Sequence, residues 1–583
     1  MAHMNGHLTQ LVRSLLAATA IMTACAPTPN SGHTGPEESP APPPLARTLS
    51  VAIRAEPTTL AVRPVGQGAG VATKLSKRMF SADLAVLDAD GVARPYLAET
   101  LPQLNTDSWR VFADGRMETT YRLRPDLVWH DGTPLGAADF VFAFRVYATP
   151  ELGNAASTPI SLIEDIVAVD DRTLLIHWKR LYADAGTLHS SLASGTGSIP
   201  PLPRSILEPV FDAGPPSALV NHPFWTREFV GLGPYRLARW EPGAFIEGTA
   251  FERHALGAPK IGRIKLLFMP DSNAVLASML AGEVQMSGET SIGVAQVPVL
   301  VREWGSRGPK PVAVLHPSSW RAAAFQFRPE YLTPPSLLDP RVRQAFAYAI
   351  DKLPINEAVY DGQLLPADTT IPPTSQVGRA MDAVITKYPF DLRRSEELMN
   401  QAGFTKGPDG MYMSPTEGRF TTEIRTNAAS DNEAEMASLV SGWRHAGFDV
   451  QQSVVPVALA QDNQARATFS GIFSYNTGAS ELGMLAYLTS QTPRPDNQWS
   501  GQNRGGWSNP EYDRLGDALS TSLDRAERNR FLVEMAKVSS ELLPAISLFF
   551  PVQPWVFDAA LRGPTLVASE SDVTWNIHEW ELQ

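Results

Sequence analysis

The stretch TLSVAI (Thr48–Ile53) alternates polar and apolar residues and runs into the proline-broken RAEPTTL, which predicts a strand ending in a loop. The same period of two recurs in TYRLR (Thr120–Arg124), RTLLIHW (Arg172–Trp178) and GRIKLLFM (Gly262–Met269), each with the β-branched or aromatic content of a strand. After a turn at Asp131-Gly132 the period changes, and the chain enters an amphipathic helix near Ala137.

The second half of the chain is more helical. In DPRVRQAFAYAID, Asp339 is placed to cap a helix, Pro340 suits its first position, and Val342, Ala345, Phe346, Ala349 and Ile350 form one apolar stripe. SEELMNQAGF and MASLVSGWRHAGF each end a helical pattern at a glycine, Gly403 and Gly447. SNPEYDRL opens another helix, with Ser508 or Asn509 as cap and Pro510 in its first turn. Strands alternating with capped helices predict an α/β protein, and the length of 583 residues predicts two or more lobes. No internal repeat is visible.

The N-terminus follows different rules. Arg13 precedes the apolar run LLAATAIMTA (Leu15–Ala24), too short for a span of about 20 apolar residues, and shaped like a secretory signal over residues 1–24. MTAC (Met22–Cys25) resembles a bacterial lipobox, with Met22 where leucine is usual, so Cys25 is read as a lipidation site; the alternative is an ordinary signal cleaved nearby with an incidental cysteine. Proline-rich residues 26–46 cannot build a core and extend at about 3.1 Å per residue, a tether behind the anchor.

Composition narrows the class. Cys25 is the only cysteine, so no intramolecular disulfide supports the body. A formal net charge of −12 without a basic cluster argues against nucleic acid as a partner. The 13 tryptophans suit an aromatic-lined cleft and the 49 prolines suit ordered loops, though both also occur in ordinary large proteins. Signatures of catalysis are missing: there is no G-x-S-x-G elbow and no H-E-x-x-H helix. GQGAG (Gly66–Gly70) lacks the strand and lysine of a phosphate loop. His3, His7 and His33 lie in the leader or tether, and the remaining histidines show no ligand spacing, so no metal and no cofactor are expected. An enzyme is not expected, although a glycosidase with two acids far apart in the chain leaves no local trace.

Six segments, in order, carry a resemblance: TTYRLRPDLVWHDGTPLGAADFVFAFR, GLGPYRLARWEPGAFIEG, LLFMPDSNAVLASMLAGEVQMS, DPRVRQAFAYAIDKLPINEAVYDGQ, YPFDLRRSEELMNQAGF and GWSNPEYDRL. Together they resemble the peptide/nickel family of extracytoplasmic solute-binding proteins, the receptors that feed ABC importers, across residues from about 48 to 560. The resemblance implies a two-lobed periplasmic-binding-protein-like fold of the class II, or cluster C, type. Its first lobe would span residues 47–320, including an extra subdomain at about 76–213. A second lobe would span 321–550, and residues 551–583 would return to the first. The chain would cross near AAAFQFRP and come back near AISLFFPVQPW.

The resemblance also suggests where a ligand would sit. In peptide-binding relatives the ligand backbone pairs with an exposed strand, by β-augmentation. The corresponding segment here is GIFSYNTGASEL (Gly471–Leu482). Peptide binders of the family hold the α-ammonium with an aspartate after an aromatic residue; this sequence has Tyr475, Asn476 and Thr477 there, and Glu481 as the nearest acid. Phe473 and Tyr475 offer rings and the neighbouring amides and hydroxyls suit a neutral polar ligand, so an oligosaccharide receptor is the alternative to a peptide receptor. Trp320, Phe327 and Phe549 are candidate cleft walls, Trp507 a candidate for the cleft mouth, and Thr58 and Thr59 candidate hydroxyl donors; each also suits core or turn. The function expected is that of a lipid-anchored, monomeric binding protein. It would capture an oligopeptide or similar solute by hinge closure and pass it to an ABC permease.

Overall fold

Thr48–Ile53 is a strand, as its alternation predicts, and distant segments place it inside a sheet. Arg263–Phe268 lies parallel on one side and Met286–Ser287 parallel on the other. In this computed structural model the described residues are 47–66, 74–155, 157–190, 197–288, 291–304, 310–317, 319–456, 459, 462–495, 499 and 501–583. The apolar leader, His3, His7, His33, Cys25, the proline tract and GQGAG beyond Gly66 lie outside them.

Among the described residues the first sheet runs, in order, Val312–Pro317, Val552–Phe557, Met286–Ser287, Thr48–Ile53, Arg263–Phe268, Phe245–Ala250 and Tyr235–Glu241. Ala52 and Val556 pack against Val275 and Met279 of the helix Ser272–Ala281, whose N-terminus Asp271 caps by accepting from Asn273 N at 2.7 Å. Leu49, Val51 and Ile53 instead join a core that reaches Phe140, Tyr121 and Trp178. Those three belong to a four-stranded sheet, Trp109–Val111, Met117–Arg122, Thr173–Trp178 and Ile163–Ala168, and to the helix Ala137–Ala148 beside it. A buried Arg78 fastens this region to the C-terminal segment, with Nε 3.1 Å from Asp572 Oδ2 and Nη1 3.5 Å from Asp83 Oδ2.

The second sheet orders Leu365–Pro366, Ala545–Phe550, Ser319–Phe325, Ile472–Gly478, Thr421–Asn427 and Asp449–Val455. Both faces are covered, and the strand Ala545–Phe550 reads accordingly as an almost continuous apolar run. Ala323, Phe325 and Ile472 meet one cluster with Phe346 and Trp443; Trp320, Ala322, Phe473 and Tyr475 meet another with Tyr487, Trp507 and Tyr512. Helix signals in this lobe act as expected. Asp339 Oδ1 accepts from Arg341 N at 2.9 Å ahead of Pro340, and Asn509 Oδ1 accepts from Tyr512 N at 2.8 Å ahead of Pro510. Gly447, at φ 113°, terminates Ser430–Ala446. The stripe from Val342 to Ile350 departs from expectation in one respect. Its helix stops at Tyr348, because Asp351 caps a new one, Lys352–Tyr360, by accepting from Leu353 N at 3.3 Å.

The chain passes from the first sheet to the second between Pro317 and Ser319, and returns between Phe550 and Val552. Two short connections between two lobes are the geometry of a hinge. The lobes touch beyond it: Ser569 Oγ donates to Ala479 O at 2.9 Å, and Leu523 packs on the core of the first lobe.

Candidate functional site

The strand Ile472–Gly478 is the natural starting point, because its two edges differ. Along one, it pairs antiparallel with Ser319–Phe325 over its whole length, from Ile472 opposite Phe325 to Gly478 opposite Ser319. Along the other, the parallel strand Thr421–Asn427 matches only Ile472, Phe473 and Ser474. From Tyr475 to Gly478 no strand among the described residues covers that edge. An uncovered edge leaves backbone N–H and C=O groups able to bind an extended chain. Asn476 and Gly478 are exposed and Thr477 half-buried, so the edge is open to solvent.

The two faces of the strand also differ in charge. Ser474 turns toward a fully buried ion pair, in which Arg321 Nη2 lies 2.8 Å from Glu435 Oε1. Ser474 Oγ donates to Glu435 Oε1 at 2.9 Å and Tyr360 OH donates to Oε2 at 3.0 Å. Paired and hydrogen-bonded on every side, this acid is held as buried charges must be.

Phe473 and Tyr475 turn the other way, stacked on each other with centroids 5.6 Å apart. Over them lies Arg504, its Cζ 4.7 Å from the Tyr475 ring centroid and 5.9 Å from that of Phe473. Arg504 is 6 % exposed. Its Nη2 donates to Gln502 Oε1 at 3.1 Å, while its Nη1 has no hydrogen-bond partner. Burial pulls this guanidinium down to about 10, and Arg466 nearby pushes it the same way. Burial also lowers Arg466, whose Nε has no partner. Among the described residues no acid is paired with either. A cation–π contact returns about 0.5–2 kcal/mol, against several kcal/mol for desolvating an ion. The rings therefore do not compensate Arg504. Tyr475 OH lies 2.8 Å from Tyr487 OH, and burial raises both phenols.

At the tip beyond the strand, Glu481 forms an ion pair with Arg528 and lies 3.7 Å from Arg525. Burial pushes the Glu481 carboxyl up to about 7; Arg528 opposes this, while Asp184 and Glu570 of the first lobe add to it. Glu481 is thus already engaged by protein cations.

The remaining residues singled out from sequence lie as follows. Trp320 is buried and meets Tyr487 edge-on at 6.0 Å, with its Nε1 unpartnered. Phe549 is fully buried against Tyr360, and Trp507 is buried against Tyr512. Phe327 is half-buried, with the Arg343 Cζ 4.9 Å from its ring. Thr59 Oγ1 donates to Trp225 O at 2.7 Å and accepts from Ala61 N, so it serves its turn, whereas Thr58 is exposed. The structure brings Phe473, Tyr475, Trp320 and Trp507 into one cluster and places Phe549 in the other.

Sequence reasoning missed Arg466, Arg504, Tyr487 and the Arg321–Glu435 pair. One signal was present for Arg504, a cation beside two glycines in QNRGGW. A Cβ on Gly505 would come 2.1 Å from Phe325 O, so only glycine lets this loop lie against the sheet and extend Arg504 across it.

Two lobes joined by two short connections are the architecture of a hinged, two-lobed fold. Residues 99–497 match the family model described as bacterial extracellular solute-binding proteins, family 5 middle, and the chain belongs to that family. It is 21 % identical over 529 residues to the oligopeptide-binding protein AppA of Bacillus subtilis, covering 87 % of this chain and 89 % of that one. The match to an ABC transporter peptide-binding protein of Brucella ovis, 24 % identical, spans 278 residues, about half the length of either chain (48 %). Among solved structures, the Brucella suis NikA complex with Fe(III)-EDTA has a TM-score of 0.72 at 18 % identity, covering 92 % of this chain and 100 % of that one. The Thermus thermophilus oligopeptide-binding protein complexed with a pentapeptide has a TM-score of 0.64 at 23 % identity, over 92 % and 96 %. At these identities the likeness is one of fold. Among the described residues no helix is long and apolar enough to cross a membrane, and no group of three or more His, Cys, Asp or Glu is placed to hold a metal ion.

Proposed function

We propose that this protein captures an oligopeptide, or a polar solute of similar size, outside the cytoplasm and delivers it to an ABC permease. The observation that carries the reading is the open edge from Tyr475 to Gly478, next to the hinge, where an extended ligand backbone would add as a strand. Contacts completed only in the closed state would favour closure, and the permease would meet the closed form. The names of relatives, among them the oligopeptide-binding protein AppA, support the peptide class. Cys25 would be the lipid anchor, the proline tract the spacer, and the protein a monomer that turns nothing over. The oligosaccharide alternative has less support: Phe473, Trp320, Trp507 and Phe549 pack among other side chains instead of offering an open stacking platform.

Native mass spectrometry of the full-length chain, purified gently and then denatured, tests this. A ladder of peptide masses released on unfolding is the expected result. A released carbohydrate, or an empty protein that binds sugars and no peptide, would refute the peptide reading.

A further inference from the structure

The face of the strand that carries Tyr475 holds positive charge that no acid among the described residues neutralises. Arg504 is almost wholly buried, makes one side-chain hydrogen bond, to Gln502, and leaves Nη1 without a partner. Arg466 is half-exposed, its Nε is buried without a partner, and it is close enough to Arg504 for the two guanidiniums to repel. Among the described residues neither has an acidic partner. Three other buried arginines of this lobe are satisfied, and Arg528, whose Nε also lacks a partner, is paired with Glu481. Arg321 has Glu435, Arg343 donates to the carbonyls of Leu337, Leu542 and Leu543, and Arg328 donates to those of Pro493, Ala467 and Arg504.

We propose that Arg504 and Arg466 form a receptor for an oxyanion, a carboxylate or a phosphate, carried by the captured solute at the end seated against Tyr475. The unpartnered Nη1 of Arg504 can donate to an oxygen of such a group, with Nη2 able to add a second bond beside or in place of its bond to Gln502, and the surrounding rings strengthen the pairing by excluding water. Arg466, on the solvent side, would meet the anion first, and Arg504 would complete the contact inside. Glu481 does not compete for them, because Arg528 engages it. The solute class is therefore anionic at this end. This specificity rests on the reading that the Tyr475–Gly478 edge faces the ligand.

Calorimetric titration of the full-length chain with succinyl-Ala-Ala-Ala-amide and acetyl-Ala-Ala-Ala-amide, which differ by one carboxylate, tests the proposal. The succinyl peptide is expected to bind about tenfold or more tightly, the scale of a charge-assisted bidentate contact, and Arg504→Met should abolish the difference. Arg504→Lys keeps the charge but lacks the fork and should retain only part of it. Inorganic phosphate separates the two sources: if it raises the wild-type Tm and displaces the succinyl peptide, phosphate is the better fit; if it does neither, the carboxylate is. Without ligand, Arg504→Met should melt higher than wild type, because it removes an uncompensated buried charge. Equal binding of both peptides by wild type, with the parent reading intact, would overturn the proposal. So would a lower Tm for Arg504→Met with the preference unchanged. If neither peptide binds but phosphate still stabilises in an Arg504-dependent way, the peptide reading fails and the oxyanion receptor stands.

Discussion

The two faces of the strand Ile472–Gly478 place arginines in opposite circumstances. Behind Ser474, Arg321 and Glu435 neutralise each other, and Ser474, Tyr360 and Thr426 take up bonding capacity around them. Over Tyr475, one residue further on, Arg504 has aromatic rings for company and no acid among the described residues. Both are buried, and only the first is self-sufficient. A fold places neutralising partners where it needs rigidity, and a face left charged is one where something from outside can supply the missing half.

The comparison breaks most severely at Glu435. Glu435→Gln should destabilise the protein by roughly 3–5 kcal/mol, since it strands the Arg321 charge in the interior, and the drop would be read as a lowered midpoint in urea. A smaller effect comes from the third charge environment, that of Glu481. The folded chain takes up this proton near pH 7, the unfolded chain only near the ordinary glutamate value of 4.5. Stability should therefore fall as pH rises from about 4.5 through 7, by up to roughly 3 kcal/mol, and Glu481→Gln should flatten that profile in thermal melts. Smallest is Tyr475→Phe, which removes one bond to Tyr487 and should cost about 0.5–1.5 kcal/mol while leaving the ring beneath Arg504. A loss above about 3 kcal/mol on unfolding would show the two phenols to be part of a larger polar network.

Local signals were legible in the sequence. Asp339-Pro340, Asn509-Pro510 and Gly447 each act within a few residues of themselves, and each marks the end of the helix it predicts. The strand Thr48–Ile53 announced itself by alternation, but its neighbours lie more than two hundred residues away. The same limit applies to the site. Tyr475 was visible in its segment, yet Arg466, Tyr487 and Arg504 reach it through a helix, a tyrosine pair and a glycine-tight loop that no periodicity records. Glu481 illustrates the converse: as a lone acid near the strand it looked available, and only the fold reveals Arg528 at its side.

The order of strands in the first sheet has a consequence for how the protein is born. Val552–Phe557 lies between Val312–Pro317 and Met286–Ser287, so the strand that closes the gap emerges only after the whole second lobe has been synthesised. Until then the nascent first lobe presents two unpaired edges, each able to recruit a foreign strand. A message that stops before Val552 would therefore not yield a protein shortened by its last few turns. It would yield a first lobe with an open seam, a substrate for proteases and for its own aggregation.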